Sequence, residues 1–484
     1  MTELLGILVV ALVPYFAFAR SGWRGIFLLI IPAGFTQEPI RKSIDGQPVT
    51  IQLIAVVIFA LAFLAAALRF GGPTFKPMAG DNHATRKILI LFTAFIVMQS
   101  LHSYVRFGTI MVPLLGLLSY LLPFPVLWTA YRYVRRPDDI RRFLALYVAV
   151  SFLMTLGVIA NYHGVDSPLF KQVGDAPMVV YHQVTGVVDL YCGYLRTPEV
   201  AAWHAAALAC AAVTLAISFR GAVLKFVTPA LVTYALITVV LTGRRKALAI
   251  MVAFAAIYWI GLVLAKRRGG AMMATAGIVV GALLVGAMSY MAPDSAAPSP
   301  YLERSATAFD DAADRFSQLG LKTVVRSFEI AGPLGLGTGA GAQGAQHISG
   351  VVTQGSAEGG LGRITLELGP LGLILAVIAA IAVARQTRRC VSLAEKHSIV
   401  LLRLTLGLLA FIAANVPVFI GAAQIFGDPF VLMILGTQLG FVLAVPRIIA
   451  LEKSRNRASE PPRSGDENLH GGRLAWQQAP ISQV

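Results

Sequence analysis

The run Thr242-Gly243-Arg244-Arg245-Lys246 places three cations in a short turn between two long apolar stretches. Arginine forms planar, bidentate hydrogen bonds to phosphate and stays charged at physiological pH. The run could therefore hold an anionic phosphate group at a membrane surface. The alternative is that these side chains only extend from apolar helix ends to the water interface. We expect an anion site in which Arg245 is central and Arg244 and Lys246 assist.

A second cluster of polar side chains follows from the segment Tyr194-Leu-Arg196-Thr-Pro198-Glu199. Pro198 suits the first turn of a helix, where the helix dipole also favours the Glu199 carboxylate. Arg196 has no such structural explanation, so we expect it to contact phosphate or sugar. His204, one turn further on, is predicted to be a packed helix residue rather than a base.

The third group of ionisable residues lies where the next apolar stretch begins. Glu358, Arg363 and Glu367 fall at this membrane entrance, where ionisable groups are functional candidates by default. We expect Glu358 to act in catalysis or substrate binding, with His347 as the rival candidate base. Arg363 is a candidate for substrate binding, although its spacing from Glu367 also fits an i,i+4 salt bridge. For Glu367 we favour the salt bridge.

The long polar segment before these residues predicts two local structures. Apolar residues recur at helical spacing from Phe309 to Phe328, which indicates an amphipathic helix on the outer surface, with Arg315 as a further substrate-binding candidate. The glycine-rich run from Gly332 to Gly341 follows. It overlaps a literal GxGxxG at Gly339–Gly344, but the βαβ context of a dinucleotide site is missing. We expect a turn that lets backbone approach a ligand.

The whole chain has the composition of a membrane protein. Of its 484 residues, 57% are hydrophobic and only 13% are charged, which excludes an ordinary soluble domain. Its three cysteines show neither a disulfide framework nor metal-ligand spacing. We predict an all-α polytopic protein with twelve or thirteen transmembrane helices, because a span needs about 20 apolar residues. The candidate spans are 4–19, 23–35, 51–69, 88–104, 108–130, 142–160, 199–219, 222–242, 246–265, 271–291, 364–384, 398–420 and 428–447.

The distribution of basic residues predicts the orientation. Arginine and lysine cluster in alternate short loops and in the polar tail, and such loops face the cytoplasm. The net charge of +16 is thus a topology signal rather than a sign of nucleic-acid binding. We divide the chain into N-terminal spans (1–291), a large periplasmic loop between the tenth and eleventh spans (292–363), C-terminal spans (364–449) and a disordered cytoplasmic tail (450–484).

Taken together, the motifs resemble the O-antigen ligase and O-antigen polymerase family of bacterial inner-membrane glycan transferases. Thr242–Ala249 resembles the family's Ser-Arg-Lys/Gly-Ala stretch, and Tyr194–Glu199 is loosely similar to its Arg-x-x-Gly-x-Phe-x-x-Pro-Asn region. Asp314–Phe316 and Gly332–Gly337 resemble the arginine-bearing helix and Pro-x-x-Gly-x-Gly turn of its periplasmic loop. Glu358–Gly372 is similar to the family's entry to the next span, with glutamate where the family has histidine.

The resemblance implies transfer of a whole glycan from undecaprenyl diphosphate to an acceptor hydroxyl at the periplasmic face of the inner membrane. Arg245, Arg196, Arg244 and Arg315 would stabilise the departing diphosphate without a metal, and no cofactor is expected. Glu358 would serve as the base if burial raised its pKa. The partners would be the lipid-linked oligosaccharide, an acceptor glycan, membrane lipid and a chain-length regulator.

The departure at Glu358 favours a polymerase of lipid-linked repeat units in surface or exopolysaccharide assembly. An O-antigen ligase or a protein oligosaccharyltransferase of the same family is the alternative. A glycolipid transporter or flippase is a further one, since Pro-containing helices are common in transporters. Against transport, the ionisable residues gather at one predicted face rather than within the spans.

Overall fold

The computed structural model describes residues 22–80, 82–173, 178–182, 186–219, 221–265, 301, 316–342 and 358–459. Almost all of the secondary structure in these ranges is helical. The α-helices are α1 Trp23–Lys42, α2 Ile54–Phe70, α3 Lys76–Ala79, α4 His83–Phe107, α5 Met111–Leu121, α6 Pro123–Tyr133, α7 Pro137–Tyr162, α8 Pro198–Ser218, α9 Ala222–Leu241, α10 Arg245–Leu264, α11 Thr323–Ala331, α12 Gly360–His397, α13 Ile399–Gly421, α14 Pro429–Leu443 and α15 Val445–Ser459. Shorter 3₁₀ or π segments are Val49–Leu53, Pro168–Phe170, Phe316–Lys322 and Ala423–Gly427.

The prediction of a helical, multi-pass membrane protein is confirmed. Within the described ranges, eight helices are long and apolar enough to cross a membrane, or nine if the bent pair α14–α15 counts as one span. The predicted spans 4–19 and 271–291 lie outside the described residues. One feature departs from the all-α expectation, because Val179–His182 and Gly186–Asp189 form an antiparallel hairpin in the predicted periplasmic segment before α8.

The bundle has two ends, which helix α7 connects. This helix starts just after Arg135, and Gly157 near its far end packs against Gly193, shortly before α8. The first turn of α8 in turn contacts the loop that precedes Arg245. We call these the Arg135 end and the Arg245 end. In the predicted orientation they would be cytoplasmic and periplasmic, respectively.

Helix α1 also runs from one end to the other. At the Arg135 end, the Arg24 guanidinium lies 2.7 Å from the Asp139 carboxylate. At the Arg245 end, Lys42 Nζ donates to the backbone carbonyl of Gly193 at 2.8 Å. The predicted segment 23–35 therefore continues to Lys42. The sequence signal stops early because the last turns carry buried polar side chains rather than apolar ones.

Helix α8 lies at the centre of the bundle, where nearly all of its residues are buried. It is rich in alanine, and small side chains let neighbouring helices approach closely. It packs against α7, α9, α10 and α13. Its contact with α13 includes a buried hydrogen bond of 2.8 Å from Trp203 Nε1 to Asn415 Oδ1. This bond fixes the start of α8 against the end of α13.

Helix α12 is broken at Gly369, which has a φ of 72°, and Pro370 follows it in the sequence. Proline has no N–H, so the break deprives the preceding carbonyl groups of their usual helical donors. The glycine-rich segment replaces them. Leu336 N donates to Leu366 O at 2.8 Å, and Gly337 N donates to Glu367 O at 3.0 Å.

The glycine-rich segment is wedged between α4, α5 and α12. Gly339 has a φ of +86°, and a β-carbon there would collide with the Val112 carbonyl. Beside it, the Thr338 hydroxyl lies 2.8 Å from the Ser100 hydroxyl. We expected this turn to let backbone approach a ligand. Its backbone instead approaches the protein's own helices.

The boundaries of two predicted segments shift. Of the predicted amphipathic helix 309–328, the described part is the π segment Phe316–Lys322 and α11, which packs against α12 and leaves Val325 and Phe328 exposed. At the C-terminus, α15 continues to Ser459, so the first ten residues of the tail predicted to be disordered are helical.

Candidate functional site

A cavity of about 220 Å³ opens at the Arg245 end of the bundle. Its walls come from the start of α8, the loop between α9 and α10, the start of α10, and the end of α13 with the segment that follows it. Its charged and polar lining side chains are Glu199, Trp203, Arg244, Arg245, Lys246 and Gln424. Its hydrophobic lining residues include Ile250 and Val418, which are buried.

The cavity is electropositive. Gly243 adopts a φ of +64° in the turn, and α10 then begins at Arg245. Among the described lining residues, three cations thus stand beside one carboxylate. The dipole of α10 adds positive potential at the same place, where the helix begins. The structure thus brings together Arg244, Arg245 and Lys246, as an anion site requires.

Glu199 is the one carboxylate in the lining formed by the described part of the chain. It lies in the first turn of α8, and its Oε1 is 2.7 Å from an Arg244 guanidinium nitrogen, with both side chains about 30% exposed. The sequence explains Glu199 by the helix dipole alone. Its position in the cavity makes it a further candidate to accept a proton, which sequence reasoning missed.

Arg196 has a structural role that was not expected. Its guanidinium lies 2.8 Å from Asp428 and 3.8 Å from Glu38, and it is largely buried. The Gln52 amide oxygen also accepts from an Arg196 guanidinium nitrogen at 2.8 Å, when the amide is oriented so that its oxygen faces donors. The premise that Arg196 lacks a structural partner is therefore wrong. Its predicted contact with phosphate or sugar would have to compete with two buried carboxylates.

Sequence reasoning missed Glu38 and Asp428, the two carboxylates that contact Arg196. Glu38 is 2% exposed, and its Oε2 atom has no hydrogen-bond partner in the described part of the chain. Asp428 could have been found, because an aspartate before Pro429 is typical of a helix N-cap.

Arg363 and Glu367 form the predicted i,i+4 salt bridge, which is confirmed. Arg363 Nε lies 2.9 Å from Glu367 Oε1, and both residues are buried. The Glu367 carboxylate also accepts hydrogen bonds from Gly339 N at 2.9 Å and from Gly341 N at 3.1 Å. Neither member of the pair lines the cavity. Arg363, predicted to bind substrate, is committed to an internal carboxylate.

Glu358 lies beside the cavity but is not buried. Its carbonyl oxygen accepts from Ala423 N at 2.6 Å, next to the lining residue Gln424. Its side chain is exposed among the described residues, so the burial expected of a glutamate base is not observed. The other two predicted site residues, His347 and Arg315, lie outside the described ranges.

His204 is a packed helix residue, as predicted. Its side chain is fully buried, and its Nδ1 lies 2.8 Å from the Tyr147 hydroxyl. The rings of Phe35 and Phe430 pack on it at centroid distances of 4.6 and 5.1 Å. It is therefore held inside the bundle rather than presented to the cavity.

In chemical terms, the described lining of the cavity offers cations for an anionic group, the Gln424 amide for polar or sugar contacts, and one carboxylate. The Trp203 indole N–H is already bound to Asn415. The apolar lining of the cavity adjoins the membrane-spanning helices α10 and α13. Such a site suits an amphiphilic ligand with a phosphate near the membrane surface. A comparison with protein-family models finds no match, and no curated protein matches the sequence at a significant level.

Proposed function

We propose that the protein is a glycosyltransferase that polymerises lipid-linked oligosaccharide repeat units at the periplasmic face of the bacterial inner membrane. The observation that carries this proposal is the cavity at the Arg245 end, where three cations and the start of α10 meet beside apolar spans. A diphosphate attached to a long prenyl chain has the matching character, with two anionic groups at the surface and a hydrocarbon tail in the membrane.

The proposed reaction exchanges one bond at the anomeric carbon of the donor. The bond from this carbon to the diphosphate oxygen breaks, and the electron pair leaves with the diphosphate. The acceptor hydroxyl oxygen forms the new glycosidic bond and loses its proton to a carboxylate. Arg245, with Lys246 and Arg244, stabilises the charge that develops on the departing diphosphate.

Two carboxylates beside the cavity are candidates for the base. Glu358 keeps the role implied by the family resemblance, and the bound acceptor would have to bury its side chain. Glu199 is already in the cavity, but Arg244 holds it in an ion pair of 2.7 Å. We keep Glu358 as the first candidate and Glu199 as the second, with His347 as the third.

Transfer to another class of acceptor is the alternative within the same chemistry. A ligase or an oligosaccharyltransferase would use the same diphosphate site and differ in the acceptor side. A transporter is disfavoured by the position of the charges, because the cavity cations lie at one end of the bundle rather than at mid-depth. Twelve or thirteen spans and a cytoplasmic C-terminus remain part of the proposal.

The test is a reconstituted assay with the full chain in proteoliposomes and a purified undecaprenyl diphosphate-linked repeat unit. Mass spectrometry would follow elongation of the glycan. We expect R245A to slow elongation by about 100-fold or more, as loss of one preorganised donor to a developing anion does. R245K should retain part of the activity. R385A, which removes an exposed arginine of α12, is the matched control and should be unaffected.

Wild-type chain lengths from R245A, in protein that inserts normally, would overturn the proposal. Transfer of a single unit to a different acceptor, with no elongation, would instead assign the protein as a ligase.

A further inference from the structure

A second cavity, of about 230 Å³, lies at the Arg135 end of the bundle, opposite the candidate active site. Three separate parts of the chain converge on it: the start of α1, the turn between α6 and α7 with the first turn of α7, and the C-terminal helix α15. Its lining includes five arginines, namely Arg24, Arg135, Arg136, Arg142 and Arg455. Because these residues come from distant segments, the cluster is built by the fold and is not a run of charge along one helix.

Two aspartates also line the cavity, but each has its own ion-pair partner. Asp139 lies 2.7 Å from Arg24, and its other oxygen accepts from the backbone N–H groups of Arg135 and Arg136. Asp138 lies 3.8 Å from Arg141. Five arginines and two aspartates give the described lining of the cavity a net charge of +3.

The arginines of this cluster repel one another electrostatically. Burial lowers the pKa of Arg135, and the neighbouring Arg24, Arg69 and Arg455 lower it further, against the single opposing effect of Asp139. Mutual repulsion of this kind is unfavourable unless an anion relieves it, because charge interactions are strong where water is partly excluded. A concave site that concentrates guanidinium groups suits a planar, bidentate oxyanion ligand.

We propose that the cavity at the Arg135 end binds a phosphate-bearing anion between Arg135, Arg142 and Arg455. The cavity adjoins the ends of the membrane-spanning helices, so the phosphate could belong to an anionic lipid headgroup. A soluble phosphate or diphosphate shares the same chemistry. The site is independent of the proposed glycosyl transfer, since it lies at the other end of α7.

The test uses the purified full chain in an uncharged detergent, with thermal unfolding and native mass spectrometry as readouts. Three probes are compared: phosphatidylglycerol, phosphatidylcholine and inorganic pyrophosphate. The variant R135Q/R455Q removes two lining arginines. The control R388Q/R457Q removes two exposed arginines that do not line the cavity, one of them two residues from Arg455 on α15.

We expect phosphatidylglycerol, but not phosphatidylcholine, to stabilise the wild type and the control. The apparent affinity of R135Q/R455Q for phosphatidylglycerol should be lower by a factor of about ten or more, since each basic residue near a membrane surface contributes appreciably to anionic-lipid binding. If pyrophosphate produces this pattern and phosphatidylglycerol does not, the site is the same and the anion is soluble.

Without any ligand, R135Q/R455Q should melt no lower than the wild type, because the substitutions remove repulsion. A marked loss of ligand-free stability would show that the arginines hold the fold instead and would overturn the proposal. An equal loss of binding in R135Q/R455Q and in the control R388Q/R457Q would overturn it as well. So would the absence of binding of either anion to the wild type.

Discussion

Arg196 and Asp428 form an ion pair of 2.8 Å that joins the segment before α8 to the first turn of α14. The Asp428 carboxylate has a second task, because its Oδ1 accepts from Phe430 N at 2.7 Å and caps α14. One side chain thus begins a helix and neutralises a buried guanidinium. The two tasks can be separated, since asparagine also caps helices but carries no charge.

We predict that D428N lowers the free energy of unfolding by about 3 kcal/mol, because it leaves the buried Arg196 with only the more distant Glu38 carboxylate. D428A should cost about 1 kcal/mol more, since it also removes the cap. Thermal unfolding in detergent measures both effects. The control D138N breaks an exposed pair of 3.8 Å and should cost about 1 kcal/mol or less. Equal losses for D428N and D138N would contradict the prediction.

Glu367 should be among the residues that are least tolerant of substitution. E367Q replaces an acceptor of three hydrogen bonds and leaves Arg363 buried without its anion. We expect the free energy of unfolding to fall by about 3–5 kcal/mol, as when one partner of a buried ion pair is removed. The exposed E329Q on α11 is the control and should be close to neutral. Unfolding of E367Q at the wild-type temperature would disprove this role.

The helices could be predicted from the sequence because their length and hydropathy are local properties. The segment predicted at 142–160 is α7, Pro137–Tyr162, and the segment predicted at 398–420 is α13, Ile399–Gly421. The hairpin before α8 could not be predicted, since its pairing is set by the surrounding loop rather than by apolar periodicity. The end of α1 was missed because its buried polar residues resemble a loop.

The cavity cations could be predicted as a group because they are adjacent in sequence. The partners of Arg196 could not, since Glu38 and Asp428 lie more than 150 residues away from it and only the packing of α1 against α14 brings them together. Glu199 was missed as a cavity residue because its contact is also set by helix packing. It lies in α8, whereas its partner Arg244 lies in the loop between α9 and α10.

The contact between the glycine-rich segment and the break in α12 has a consequence for motion. If this segment swung outward, the carbonyls of Leu366 and Glu367 would lose their donors, and the Glu367 carboxylate would lose two amides. Each buried polar group left without a hydrogen-bond partner costs about 1–3 kcal/mol. These hydrogen bonds therefore hold residues 332–342 against α12 and oppose an outward movement of the segment.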